Sequence, residues 1–328
     1  MKTNETTPDH ICRICGDMQG HRCYDVPEMM YGTKETFSYF SCGRCQTLQI
    51  VKLPKNLSKY YPKTYYSYQK DPASKYINPL IRWIREKRDN YAIFGTGTLG
   101  KYFYKRWPEV ALHSLSEINL TYNSKILDVG SGQGALAYAL ENAGFTEVAG
   151  VDPFIEKTIK YPNGLVIHKK ELKDIEGQWD LIMFHHSFEH LGNPLETLEQ
   201  VKTKLKAGGT CLIRVPTVSS YAWKKYKTNW VALDAPRHLV IPSLMGVDIM
   251  AYKTGFEVDK IIFDSSAMQF WGSEQYKKDI ALTAENSYAK NPSKSIFTSE
   301  KIQEYEQKAQ ELNEQKQGDS IAIYLKKS

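Results

Sequence analysis

The stretch Lys125-Ile126-Leu127-Asp128-Val129-Gly130-Ser131-Gly132-Gln133-Gly134 decides how the rest of the chain is read. A short apolar run ends in three glycines at alternate positions. The alanine-rich segment 135–143 then has a helical pattern, stopped by Gly144. A strand that enters a turn without side chains and leaves as a helix lets backbone N–H groups approach a ligand closely. Asp152 closes a second apolar strand, 22 residues after Gly130. In dinucleotide-binding folds an acid at that place accepts hydrogen bonds from ribose hydroxyls. The two features together point to a ligand that contains adenosine.

Downstream, the same alternation of strand and helix continues. Residues 165–168, 180–185 and 210–215 read as further strands. Asn193 caps a helix with Pro194 at its first position, and Gly208-Gly209 is expected to end it. Leu195, Leu198, Val201 and Leu205 form its buried stripe. Short apolar strands separated by helices specify a parallel sheet covered on both faces. Gly95-Thr96-Gly97-Thr98-Leu99-Gly100 also fits G-x-G-x-x-G. It follows only a brief apolar run, and no acid-terminated strand lies at the required distance, so it reads as a loop before a helix.

The first 50 residues carry different chemistry. Cys12-Arg13-Ile14-Cys15 and Cys42-Gly43-Arg44-Cys45 are two equally spaced cysteine pairs, with Cys23 and Cys211 left over. In a reducing compartment such pairs signal a metal more often than a disulfide. Each pair offers two thiolates from one tight turn, and two such knuckles complete a closed tetrahedral zinc site with no catalytic position. His10, His21 or Cys23 could replace one ligand. The 26 residues between the pairs are long for a ribbon, so an inner hairpin is expected to be extended.

Residues 53–76 hold Pro54, Pro62 and Pro72 with Tyr60-Tyr61 and Tyr65-Tyr66-Ser67-Tyr68. They read as an ordered linker whose tyrosines pack between domains or face a substrate. A basic helix is expected over 79–88. The resulting divisions are a zinc-ribbon module at 1–53, a linker with helical segments at 54–120 and the main domain at 121–328. No apolar run reaches membrane-span length, and residues 1–10 lack a signal-peptide core, so a cytoplasmic location is expected. A net charge of +6 suits an anionic small molecule better than nucleic acid, which calls for a concentrated basic face.

From Ile126 to Gly134 the sequence resembles class I S-adenosylmethionine-dependent methyltransferases. The resemblance continues through Asp152, Trp179-Asp180-Leu181-Ile182, Phe188-Glu189-His190-Leu191-Gly192-Asn193-Pro194 and Leu205-Lys206-Ala207-Gly208-Gly209. It implies a Rossmann-like α/β fold with a mostly parallel seven-stranded sheet and helices on both faces. An antiparallel hairpin would close the sheet, with 256–263 and 321–325 as its strands. A helical insertion near 270–317 would present Ile302, Tyr305, Ala309 and Leu312 on one face. It also implies that Asp128, Gly130, Gly132 and Gly134 hold the methionine end of the cofactor and Asp152 its ribose. Phe154 would pack near the adenine, with Glu171 a weaker candidate there. The product would be S-adenosylhomocysteine.

The cysteine module, the Tyr-Tyr linker and Leu233-Asp234-Ala235-Pro236-Arg237-His238-Leu239 resemble a narrower group. These are bacterial zinc-ribbon methyltransferases of polysaccharide and deoxysugar biosynthesis, although Gln46 stands where that group commonly has glycine. This resemblance implies structural Zn2+ and a sugar-containing small molecule or glycan precursor as acceptor, methylated at oxygen or carbon. The alternatives are RNA methylation and a non-catalytic cofactor-binding protein, with a nicotinamide enzyme further off. A hydroxyl acceptor must lose a proton, a task suited to histidine. His186 and His190, just past the fourth strand, and His238 in a later loop are the candidates, with His185 beside them. Arg237 would bind phosphate or pair with Asp234. Trp223, Tyr226 and Trp230 would stack on an acceptor or fill a lid.

Overall fold

The computed structural model describes residues 10–62 and 71–327. Tyr65, Tyr66, Ser67 and Tyr68 of the expected linker lie outside the described residues. The chain begins with β1 (Arg22–Pro27), β2 (Thr36–Ser41) and β3 (Leu48–Ile50), followed by α1 (Pro79–Phe94), α2 (Thr98–Arg106) and α3 (Val110–His113). The Rossmann-like part follows as β4 (Lys125–Val129), α4 (Ala135–Ala143), β5 (Glu147–Val151), β6 (Ile159–Lys160), β7 (Val166–His168) and β8 (Trp179–His185). Next come α5 (Pro194–Lys204), β9 (Leu205–Pro216), α6 (Tyr221–Tyr226), β10 (Val240–Ile241) and α7 (Leu244–Thr254). The chain finishes with β11 (Phe256–Phe263), α8 (Met268–Lys277), α9 (Ser299–Glu314) and β12 (Ser320–Lys327).

The larger sheet has the order β11-β12-β9-β8-β4-β5-β7-β6. Its centre is parallel: β4 pairs with β5 from Lys125↔Glu147 to Val129↔Val151, and with β8 from Ile126↔Leu181 to Asp128↔Met183. Ile126, Leu127, Leu181, Ile182, Met183 and Phe184 are all fully buried, as strands covered on both faces require. The seven expected strands gain an eighth, β6, which adds only two residues antiparallel to β7. Such a short edge strand has no sequence signal of its own. Helix α5 stops at Lys204, four residues before the Gly208-Gly209 expected to end it, because Leu205 already belongs to β9. Leu198 and Val201 are buried as the stripe predicts, Leu195 is half-buried, and Leu205 is buried as the first residue of β9 rather than on the helix. Ile302, Ala309 and Leu312 are the buried residues of α9, with Tyr305 half-buried.

The decoy glycines fall between helices. Gly95 is the left-handed C-cap of α1, at φ 69°, and Gly97 precedes α2. Helix α1 runs through the 91–94 segment and is capped at its start by Asn78, whose side chain accepts from the N–H of Leu80 and Ile81.

The contacts gather the chain into two units. One contains Met1–Tyr60, Glu189–Glu196 and Arg214–Ile323; the other contains Tyr61–Phe188, Thr197–Ile213 and Tyr324–Ser328. In the first, a small sheet has the order β1-β2-β3-β10. Its last strand comes from far downstream: Val240 pairs with Gln49, and Ile241 with Leu48. The loop 28–35 between β1 and β2 supplies the expected extension. It wraps the buried carboxylate of Glu28, which accepts from the N–H groups of Tyr31 and Thr33 and from the Thr33 hydroxyl.

Candidate functional site

In the second unit the glycine turn is a cradle of backbone. Gly130, Gly132 and Gly134 sit at φ 73°, 55° and 79°, in the left-handed region that side chains disfavour. Two of these positions have no room for a Cβ. One on Gly130 would lie 2.4 Å from the Ser187 Cβ, and one on Gly134 would lie 2.4 Å from the Ile167 Cδ1. Ser187 is held in place by its hydroxyl, which donates to the Val129 carbonyl at 2.6 Å. Helix α4 starts directly after Gly134 with no side chain capping its first N–H groups. That leaves donors and the positive helix end facing outward from the turn.

Asp152 organises the turn from the end of β5. One carboxylate oxygen accepts from the Gly132 N–H at 2.9 Å, the other from the Phe154 N–H at 2.8 Å. Asp128, on β4, is almost fully buried, and burial followed by the nearby Asp152 charge pushes its pKa up to about 7. Phe154 is 65% exposed, with its ring parallel to that of Tyr61 at 6.2 Å between centroids. An exposed flat aromatic face two residues from this carboxylate can stack on a planar ring. Glu171, by contrast, pairs with Lys173 at 2.6 Å. His186 is exposed just after β8 and takes a left-handed backbone, at φ 52°, while His185 before it is half-buried. Sequence reasoning missed Ser187, because it meets the turn only through the fold, whereas Tyr61 was already a candidate to face a substrate and stacks on Phe154.

In the first unit the four cysteines of the two pairs converge, with all four Sγ atoms within 4.8 Å of one another. Cys12 and Cys45 lie 3.5 Å apart, Cys15 and Cys42 3.4 Å. Four sulfurs about 2.3 Å from one ion would stand about 3.8 Å apart, so the donor set fits tetrahedral zinc. Each knuckle repeats one pattern. The third residue after the first cysteine points its N–H at that sulfur: Cys15 to Cys12, and Cys45 to Cys42. The residue after each pair is left-handed, Gly16 at φ 82° and Gln46 at φ 62°. A hydrogen bond from the Cys45 thiol, helped by the Cys15 N–H and the Gln49 amide, pulls the Cys12 thiol below its ordinary pKa against the opposite pull of burial. Of the spare candidates, His21 accepts from the Gly43 N–H and has a ring nitrogen within 4.8 Å of the Cys42 sulfur, while Cys23 lies 3.9 Å from His10.

The same unit holds a second polar cluster. Arg237 is fully buried and forks onto Asp234 through Nε and Nη2 at 2.5–3.1 Å; Nη2 also donates to Glu28 at 2.9 Å, and Nη1 to the Tyr60 carbonyl at 3.3 Å. Burial alone would lower its pKa, but the two carboxylates outweigh it and raise it. Arg237 therefore pairs with Asp234, and its guanidinium is spent on internal partners rather than on a phosphate. His190 and His238 stack edge to face, 4.8 Å between centroids. Their Nδ1 atoms bond the carbonyls of Arg237 and Ala232, each at 2.8 Å. His238 Nε2 lies 3.7 Å from the Glu189 carboxylate. Burial, then the neighbouring His190, lowers the pKa of His238. Trp223, Tyr226 and Trp230 are buried and do not line an open face. Trp230 donates to Asp319, and Tyr226 to Glu274.

Residues 101–261 match the family model described as "Methyltransferase domain". A tRNA U34 carboxymethyltransferase of Alcanivorax borkumensis is 31% identical over 124 residues, which are 34% of this chain and 37% of that protein. The chain thus spans little more than a third of the curated relative it matches. Among solved structures, mycolic acid cyclopropane synthase CmaA1 complexed with SAH and CTAB is 17% identical, with a TM-score of 0.44 over 70% of this chain and 86% of that one. An S-adenosylmethionine dependent methyltransferase from Mesorhizobium loti is 14% identical, with a TM-score of 0.40 over 62% and 90%. No helix among the described residues is long and apolar enough to cross a membrane.

Proposed function

We propose that this chain, built around a methyltransferase domain, moves a methyl group from S-adenosylmethionine to a sugar-containing small molecule or glycan precursor. One observation carries the donor half of this reading. Three left-handed glycines and the unblocked start of α4 form a backbone cradle beside Asp152. In that cradle the N–H groups and Asp128 take the amino-acid end, Asp152 takes the ribose, and Phe154 covers the adenine. Bound there, S-adenosylmethionine supplies an electrophilic methyl carbon on a sulfonium. The chain's task is then to hold donor and acceptor in line and to accept the acceptor's proton. His186, His190 and His238 are the groups we assign to proton transfer. His190 and His238 are suited to it because their Nδ1 bonds to carbonyls leave Nε2 as a lone pair.

The four cysteines are assigned a structural zinc, closed to substrate. The acceptor class rests on the resemblance of the cysteine module and residues 233–239 to sugar-pathway enzymes, and on the modest net charge. A second reading, RNA methylation, is favoured by the tRNA-modifying relative. Calorimetry should show uptake of S-adenosylmethionine and S-adenosylhomocysteine but not NAD. Methyl-labelled cofactor incubated with nucleotide-sugar extracts and with total RNA separates the acceptors. Label in the sugar fraction supports the proposal, and label in RNA alone replaces it with the second reading.

A further inference from the structure

The region around Glu189, His190 and His238 has a donor–acceptor pattern that catalysis by imidazole alone does not require. All three residues belong to one unit. The Nδ1 of His190 meets the carbonyl of Arg237, and the Nδ1 of His238 meets that of Ala232. Carbonyl oxygens only accept, so in each neutral ring the proton sits on Nδ1 and Nε2 is a lone pair. In a catalytic His–carboxylate pair the carboxylate holds the protonated nitrogen and leaves the other one outward. Here the carboxylate is on the other side: Glu189 Oε1 lies 3.7 Å from the His238 Nε2. A ligating atom from each of the three residues lies within 4.8 Å of the other two.

We propose that Glu189, His190 and His238 bind a divalent transition-metal cation, separate from the four-cysteine site. Two imidazoles and a carboxylate whose ligating atoms lie within 4.8 Å of one another form a donor set that a cation can bridge. Imidazoles whose second nitrogen donates to a backbone carbonyl are the usual form of metal-ligating histidine. The surrounding charge agrees. Glu28, Asp234 and Glu189 bring three negative charges to this part of the unit, and Arg237 returns one positive charge. The net deficit of two matches a divalent ion. Two imidazoles and one carboxylate favour Zn2+, Co2+, Fe2+ or Mn2+ over Mg2+ or Ca2+. Ligand atoms about 2.1 Å from a metal stand roughly 3–3.4 Å apart, so the 3.7 Å gap closes by about half an ångström on binding. Three protein ligands leave a position open. This goes beyond the methyl-transfer reading and does not depend on it; an Nε2 held by the ion no longer takes a proton, which leaves His186 for that role while the metal is bound. If that reading holds, an acceptor oxygen at the open position would lose its proton more readily.

The test is metal counting on the full chain, loaded with Zn2+ or Co2+ and freed of excess ion. Two equivalents are expected. Co2+ at the cysteines gives intense thiolate charge-transfer absorption, whereas Co2+ at a nitrogen–oxygen site adds only weak visible bands. Glu189→Gln and His238→Gln keep side-chain shape and should lose one equivalent and the weak bands, with the thiolate absorption unchanged. That unchanged absorption also reports that the fold around the cysteines has survived. A single equivalent in the wild-type chain overturns the proposal, as does a second equivalent that both variants retain. Neither readout involves methyl transfer, so failure here leaves the cofactor assignment untouched.

Discussion

Asp128 couples cofactor binding to pH in a way that can be worked through. Its carboxyl is buried, titrates at about 7 in the free protein and faces the Asp152 charge. If it pairs with the ammonium of S-adenosylmethionine it must be ionised in the complex, so below pH 7 binding has to expel its proton. With the bound-state pKa well below 5.5, linkage makes the affinity at pH 5.5 about 30-fold weaker than at pH 8.5. Close to one proton is released per ligand at the lower pH. Titration calorimetry in buffers of different ionisation enthalpy measures both quantities. Asp128→Asn should bind about 10- to 100-fold more weakly at high pH, for want of a charged hydrogen-bond partner, and lose the pH dependence. The free protein gives an independent sign. A carboxyl with a raised folded-state pKa binds more protons folded than unfolded between pH 4 and 7. Stability therefore falls as pH rises through that window and levels off above it. The full effect is at most about 4 kcal/mol, and Asp128→Asn should remove that part of the slope in urea melts from pH 4 to 8. Affinity that is equal at pH 5.5 and 8.5, in protein folded at both, would refute the reasoning.

Three further outcomes are expected. Gly130→Ala places a methyl 2.4 Å from the Ser187 Cβ on a left-handed backbone, so it should abolish measurable cofactor binding. Adding Ser187→Gly relieves the clash but not the φ, and should recover affinity in part by calorimetry. Arg237→Ala leaves Glu28 and Asp234 buried without their cation and should cost about 3–5 kcal/mol in urea unfolding. A loss below 1 kcal/mol would count against the buried network. Gln46→Gly removes a side chain from φ 62° and should stabilise the metal-loaded protein by about 1 kcal/mol, read as a higher Tm. An unchanged or lower Tm would mean that the Gln46 side chain compensates for its backbone.

What the sequence made legible was set by local backbone demand. The three glycines announce the cofactor turn because no side chain tolerates those φ angles at such close approach. The cysteine spacing announces the knuckles because the turn geometry lies within four residues. What stayed hidden arises from neighbours distant in sequence. Ser187 matters because it packs on Gly130, 57 residues away, and Glu28 because it meets Arg237 across 209 residues. The end of α5 was misplaced because pairing in β9 begins before the glycines that looked like a stop. The aromatic residues Trp223 and Trp230 looked equally suited to stacking or packing until their burial and the Trp230 bond to Asp319 decided it.

The four-stranded sheet beside the cysteines has a consequence for biosynthesis. Its outer strand is Val240–Ile241, so the amino-terminal module lacks one edge until the ribosome has passed residue 241, some 190 residues after β3. During that interval β3 offers unsatisfied backbone groups to any passing strand. A nascent chain stalled before residue 240 should therefore be more prone to aggregate than one released just after it.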